Sequence, residues 1–436
     1  MEELKRIRLM SGVYLTCGQT RRFKCSQWYA GLTVPLTLRD ASLNALLPRV
    51  LRQGTADLPD SQSIDRRLEE LYGGSVDAAV YKRGEVQWLG FYGRFLDEAL
   101  TGSEDALGDV ARLLGDLLLH PATRNGRLRG DYVDREKQHL IDDIQRSIND
   151  KAGYAHLRAV EKMCAGESYR VSSRGTLAEA KRLSVARLTR HYHEVLSEAQ
   201  VELYYSGSAA PEQVERVWRE ALRDLPRART IIECHTDWMV QPERLRRFSE
   251  TIEVQQARLV MGWRTLCTLN SPAYPALIVG NALFGSGAAS RLFTTVREQH
   301  SLCYAIHSSL DKHKGLLFVD AGVAGDKLER TEEEVLHQLS LLQQGAFTDE
   351  ELNSAIQYTA SQHRRLGDAQ LTRAEYWLGQ SAAELRISPA ELAERLEQVT
   401  REQVIQTLNR VLLDSVYTLR PKEPERPQVP EEVTGQ

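Results

Sequence analysis

Residues 296–322 read VREQHSLCYAIHSSLDKHKGLLFVDAG. Leu302, Tyr304 and Ile306 alternate as a half-buried strand after the end of a helix, so Leu302–Leu310 and Gly315–Val323 form a hairpin around Asp311-Lys312-His313-Lys314. Residues 68–93, LEELYGGSVDAAVYKRGEVQWLGFYG, present the same features in the same order. There Val76–Tyr81 and Val86–Phe95 flank the polar turn Lys82-Arg83-Gly84-Glu85, and a glycine closes each stretch. The repetition points to a duplicated α+β domain.

Outward from the two hairpins the order is kept. In the first half, strands are expected at Arg8–Cys17 and Trp28–Leu36, a helix at Leu43–Arg52 stopped by Gly54, and a helix at Ser63–Leu71. In the second half Arg258–Leu266 is the strand, Tyr274–Phe284 the apolar helix, and Ala289–Gln299 the helix before the hairpin. Helices follow in both, from Glu104 to about Leu196 and from about Thr331 to Leu412, and each half ends on a strand, Val201–Ser206 and Val416–Arg420. Pro211 opens one further helix, where its missing N–H costs nothing. The predicted division is a first domain over 1–225, a polar connector over 226–250 containing Pro226 and Pro242, a second domain over 251–420, and a tail over 421–436. That tail, PKEPERPQVPEEVTGQ, is too poor in apolar residues to fold alone and is expected to be disordered.

At 436 residues, with 27% charged and 42% apolar, the chain is an ordinary globular one with room for more than one core. Its 56 basic and 60 acidic residues nearly balance, which argues against nucleic acid or an anionic membrane surface as partner. MEELKRIRLM carries charges where a signal peptide needs an apolar run, so a cytoplasmic protein is expected. The six cysteines (Cys17, Cys25, Cys164, Cys234, Cys267, Cys303) form no CxxC pair and read as reduced, mostly buried thiols.

Within GSGAASRLFTTVREQHSLCYAIHSS (285–309), Arg297 and Tyr304 stand seven residues apart across a helix-to-strand junction. A planar fork of donors beside one hydroxyl on a stiff ring can grip a peptide carbonyl. The plainer alternative pairs Arg297 with Glu298 or another surface acid and buries Tyr304 in the sheet. Elsewhere the sequence offers little chemistry. His191 and His193 in RHYHEVL form an HxH, but on a helix they point apart and cannot share a metal. GNALFGSGAAS lacks the Gly-Lys-Ser/Thr of a P-loop, and no GxSxG elbow is present.

The duplicated architecture and the segment SRLFTTVREQHSLCY resemble the pitrilysin or insulinase-like metallopeptidases, in particular their mitochondrial-processing-peptidase branch. Ser290-Arg291-Leu292-Phe293, Val296-Arg297-Glu298, Leu302 and Tyr304 match that family's second-domain motif at its spacing. Ser301 departs from it, standing where the family usually has glycine. The resemblance implies two α+β domains of the inverzincin type, each a mostly antiparallel sheet flanked by helices, together forming a clamshell. It makes Arg297 and Tyr304 a substrate-binding pair. Active members carry His-x-x-Glu-His on the first-domain helix, and this chain has no such motif. Alignment on the helix ending LNALLPRVLRQGT sets Ala45 and Arg49 at the histidine positions and Pro48 at the glutamate. None can bind zinc or act as base. Near the third ligand's position, REKQHLIDDIQ offers Asp142 or Asp143.

What the resemblance implies is a non-catalytic subunit, with no catalytic residue and no cofactor of its own, that grips a peptide while a zinc-bearing subunit of the same family cleaves it. Among bacterial versions the likeness is to YfmF-type proteins, a type associated with elongation factor P aminopentanol modification. The alternative is a structural scaffold of the same fold with no peptidase role. Self-association in isolation stays open.

Overall fold

The computed structural model describes residues 4–103 and 105–422. Thirteen strands are present among them: β1 (Leu4–Met10), β2 (Val13–Gln19), β3 (Cys25–Pro35), β4 (Ser75–Arg83), β5 (Val86–Leu96), β6 (Thr123–Arg124), β7 (Arg127–Leu128), β8 (Gln200–Gly207), β9 (Arg246–Ile252), β10 (Ala257–Arg264), β11 (Cys303–Asp311), β12 (Leu316–Val323) and β13 (Leu412–Pro421). One sheet runs β1-β2-β8-β3-β5-β4 and the other β11-β12-β10-β13-β9. Read from the hairpin edge inward, β4-β5-β3-β8-β2 and β11-β12-β10-β13-β9 are the same topology. Both are antiparallel except at one pair, β2 with β8 and β13 with β9. The duplication therefore extends to the hydrogen-bond pattern, with β1 an addition to the first half. The fold class is the expected one, α+β in two similar halves.

Two segments differ from the sequence reading. The single strand expected over Arg8–Cys17 is a hairpin, β1 paired with β2, because Gly12 adopts φ +66° and reverses the chain between Met10 and Val13. The polar stretch read as connector ends in β9, which adds to the edge of the second sheet beside β13. Its side chains are half-buried at best, so periodicity could not reveal it. Of the tail, only Pro421 and Lys422 lie within the described residues, and Pro421 closes β13. Among the described residues no helix is long and apolar enough to cross a membrane.

Strand pleating divides each central strand between two cores. In the second half Leu259, Met261 and Trp263 of β10 face their own helices, while Val260 faces away. The second face is covered from the other half, by Ala155, Ala159, Val160 and Met163 of helix Lys151–Met163. Gly262 makes the approach close, since a Cβ there would lie 2.5 Å from Met163 Sδ. The first sheet is treated reciprocally. Trp28, Ala30 and Leu32 face their own helices, and Tyr29 joins Trp88 and the second half's core beside helix Gln370–Ala382. The two halves close on each other by exchanging a helix.

Charge is buried at the same junction. Lys314, fully buried in the second hairpin turn, lies 2.7 Å from Glu85 in the first and 2.6 Å from Glu167. Arg264, only 1% exposed, binds Glu167 at 2.5 Å and Asp414 at 2.8 Å. Tyr169 Oη donates to Asp311 at 2.6 Å. Burial opposes ionisation of Glu167, but hydrogen bonds from Arg264 and Lys314 outweigh it and hold its carboxyl below the usual glutamate value. Buried carboxylates and cations satisfy one another across the halves, as burial of charge requires.

Candidate functional site

Helix Ala41–Leu51 packs against β4, β5 and helix Gly130–Arg146. Ala45, 2% exposed, is part of the hydrophobic core. Pro48 lies inside the helix, buried, and supplies neither a carboxylate nor an N–H for the helical ladder. Arg49 reaches across to helix Gly130–Arg146 and donates from Nη2 to Asp143 Oδ2 at 2.7 Å. Asp142 instead accepts from Gln138 at 2.8 Å. Of the two acids nominated near the third ligand, it is therefore Asp143 that faces the degenerate motif. A guanidinium already neutralises it. Among the described residues no group of three or more His, Cys, Asp or Glu is placed to hold a metal ion. The side chains at these positions do not fit zinc.

Residues beside the motif carry a buried polar chain instead. Asn44 donates to Gln87 Oε1 at 2.9 Å and accepts from His191 Nε2 at 2.6 Å, and Gln87 donates to Ser173 O at 2.7 Å. Burial pushes the His191 imidazole below its usual pKa, so it serves as a neutral donor. His193 is exposed on the opposite side of helix Val185–Glu198. The two histidines do not converge.

The second constellation lies at the junction into β11. The helix expected over Ala289–Gln299 is wound as a π-helix over Leu292–Gln299, with His300 N bonding Thr295 O five residues back. Leu292 and Val296 point into the core while Arg297 stands exposed at the last turn. Its guanidinium lies 4.6 Å from the centre of the Phe293 ring. Among the described residues Arg297 forms no ion pair, with Glu298 or any other acid, so the plainer pairing is not what the chain adopts. Ser301 then turns the chain with φ +50°, in the left-handed region that favours glycine. Its carbonyl is held by Lys327 Nζ at 2.9 Å.

Tyr304 follows on a β-bulge. Cys303 pairs with Val323 and Ala305 with Gly322, so Tyr304 is the extra residue. It is 69% exposed and not part of the sheet core. Bulges re-aim side chains, and this one turns the phenol outward beside the exposed Ala305. The neighbouring Cys303 thiol is buried and pushed up to about 11 by that burial, against the pull of Arg297. It is inert. Sequence periodicity identified Arg297 and Tyr304 but not Phe293 as a platform, nor the bulge, because neither π-winding nor a one-residue slip changes the apolar pattern. What the arrangement offers chemically is donors facing solvent and no base: a guanidinium braced by a ring, and a hydroxyl on a strand edge.

Residues 182–358 match the family model described as the peptidase M16 inactive domain. The chain is 29% identical over 404 residues to "Probable inactive metalloprotease YmfF" of Bacillus subtilis, covering 92% of this chain and 94% of that protein. It is 24% identical to the B. subtilis "Uncharacterized zinc protease YmxG", over 68% of this chain and 66% of that one. Among solved structures, a conserved protein from Enterococcus faecalis superimposes with a TM-score of 0.90 at 21% identity, over 97% of this chain and all of that one. A peptidase M16 inactive domain from Pseudomonas fluorescens does so with a TM-score of 0.80 at 17% identity, over 97% and 100%. By sequence and by fold, the chain is similar to M16-type metallopeptidases of the inactive type, over residues 182–358 to the inactive-domain model and over 92% of its length to a probable inactive metalloprotease.

Proposed function

We propose that this protein is the non-catalytic, substrate-binding subunit of a two-chain zinc endopeptidase. Arg297 and Tyr304 hold the peptide backbone, and a zinc-bearing member of the same family cleaves it. The carrying observation is a contrast between two sites. Arg49, which the resemblance sets at a ligand position, is ion-paired to Asp143, while Arg297 and Tyr304 remain exposed and outside any ion pair among the described residues. A peptide carbonyl would accept from the Tyr304 hydroxyl and the Arg297 guanidinium together. Arg297 is braced on Phe293, so less side-chain freedom is lost on binding. The link to elongation factor P modification implied by the resemblance belongs to the same reading, as the pathway in which the substrate would be found.

Purification from the native cytoplasm tests it. The expected result is a complex with a zinc-bearing relative, one zinc per pair, peptidase activity in the pair and none in the separated chain. Recovery of the chain alone, at full abundance and with no zinc-bearing companion, would instead make it a scaffold.

A further inference from the structure

We propose that a cavity of about 360 Å³ between the first sheet and helix Gln370–Ala382 binds a small oxyanion, a carboxylate or a phosphate, through the guanidinium of Arg83. Its walls come from the first sheet, from Leu378 and Ser381 of the exchanged helix, and from Cys234 of the connecting segment. Three arginines line it (Arg6, Arg83, Arg386) against two carboxylates, Glu202 and Glu384. Glu202 is already engaged. Arg6 donates to both its oxygens, at 2.9 and 2.6 Å, and Gln200 Nε2 donates at 2.5 Å. Glu384 is exposed at the rim and forms no ion pair among the described residues.

Arg83 is left over. It is half-buried at the end of β4, and among the described residues it has no ion pair and no hydrogen bond, only the Tyr81 ring 5.7 Å away. Burial pulls its guanidinium below the usual arginine value, and the more distant Glu375 and Glu202 offset this only in part. Beside it the indole N–H of Trp88, itself buried, has no acceptor. The guanidinium of Arg83, lining a cavity without an acceptor, is a donor fork lacking its anion, and the enclosed Trp88 indole leaves a second unmet donor in the same wall. The planar fork of Arg83 fits two oxygens of a carboxylate or phosphate, with Arg386 at the mouth. Because both halves contribute walls, a bound anion would brace their packing and raise the melting temperature.

The full chain is titrated with inorganic phosphate and, separately, with citrate, at ionic strength matched by sodium chloride, reading melting temperature and calorimetric heat. A saturable rise with either anion is expected, and which one gives it identifies the source. Arg83→Met should weaken binding by at least about tenfold. Its ligand-free melting temperature should equal or exceed the parent's, since it removes an unpaired half-buried charge. Arg83→Lys, which keeps the charge and loses the fork, should fold and also lose the response. The proposal is overturned if neither anion acts beyond matched chloride, or if Arg83→Lys responds as the parent does.

Discussion

Arg49 joins two helices of the first half through one ion pair, with Asp143. The guanidinium puts a permanent cation beside Asp143, and their 2.7 Å contact neutralises that carboxylate locally. Both side chains are about one-third exposed, so the pair stabilises by at most about 1 kcal/mol. Arg49→Ala should therefore lower unfolding free energy by no more than that in urea titrations, and metal analysis should find no zinc taken up. Ser301 is the opposite case, a residue strained by its position. With φ at +50°, Ser301→Gly should stabilise the chain by up to about 1 kcal/mol, seen as a raised urea midpoint. The absence of a His-x-x-Glu-His motif was legible in the sequence itself. The Arg49–Asp143 contact was not, since nothing in a one-dimensional pattern says which of Asp142 and Asp143 faces the helix.

At the scale of elements, the two hairpins were legible because alternation and polar turns are local signals, and β4–β5 and β11–β12 appear where they were expected. Three features were hidden. The β1–β2 hairpin turns on only Ser11-Gly12 between two strand-like stretches, β9 carried the polar residues of an edge strand, and the π-helix before β11 shares its apolar spacing with an α-helix. The exchanged helix Lys151–Met163 was also unreadable as such, because its buried face looks the same whichever sheet it covers. Gly262 records the exchange. Replacing it with valine drives side-chain atoms into Met163 and Phe318, which lie 2.5 and 3.1 Å from an added Cβ. Gly262→Val should cost about 1–3 kcal/mol, measurable by thermal unfolding, while leaving the first half's core untouched.

Across the whole molecule, the halves are joined by apolar helix exchange and by the Lys314, Glu85, Glu167, Arg264 and Asp414 network. Removing one member leaves buried charge unpaired, so Glu167→Gln should destabilise by about 3–5 kcal/mol near neutral pH. The sign of its pH dependence follows from the direction of the shift. The folded Glu167 carboxyl is held below its unfolded value, so its contribution is complete above that value and is lost as pH falls through the folded one. The gap between parent and variant should thus close in acid, below the ordinary glutamate range of about 4.3. A gap that stays constant down to pH 3 would contradict it. The most direct test of the proposed role is turnover by the chain reconstituted with a zinc-bearing relative, the partner we propose for it. Arg297→Ala combined with Tyr304→Phe should leave the complex assembled and lower kcat/KM by at least about tenfold, as loss of two backbone hydrogen bonds implies. Unchanged kcat/KM in an assembled complex would contradict the account.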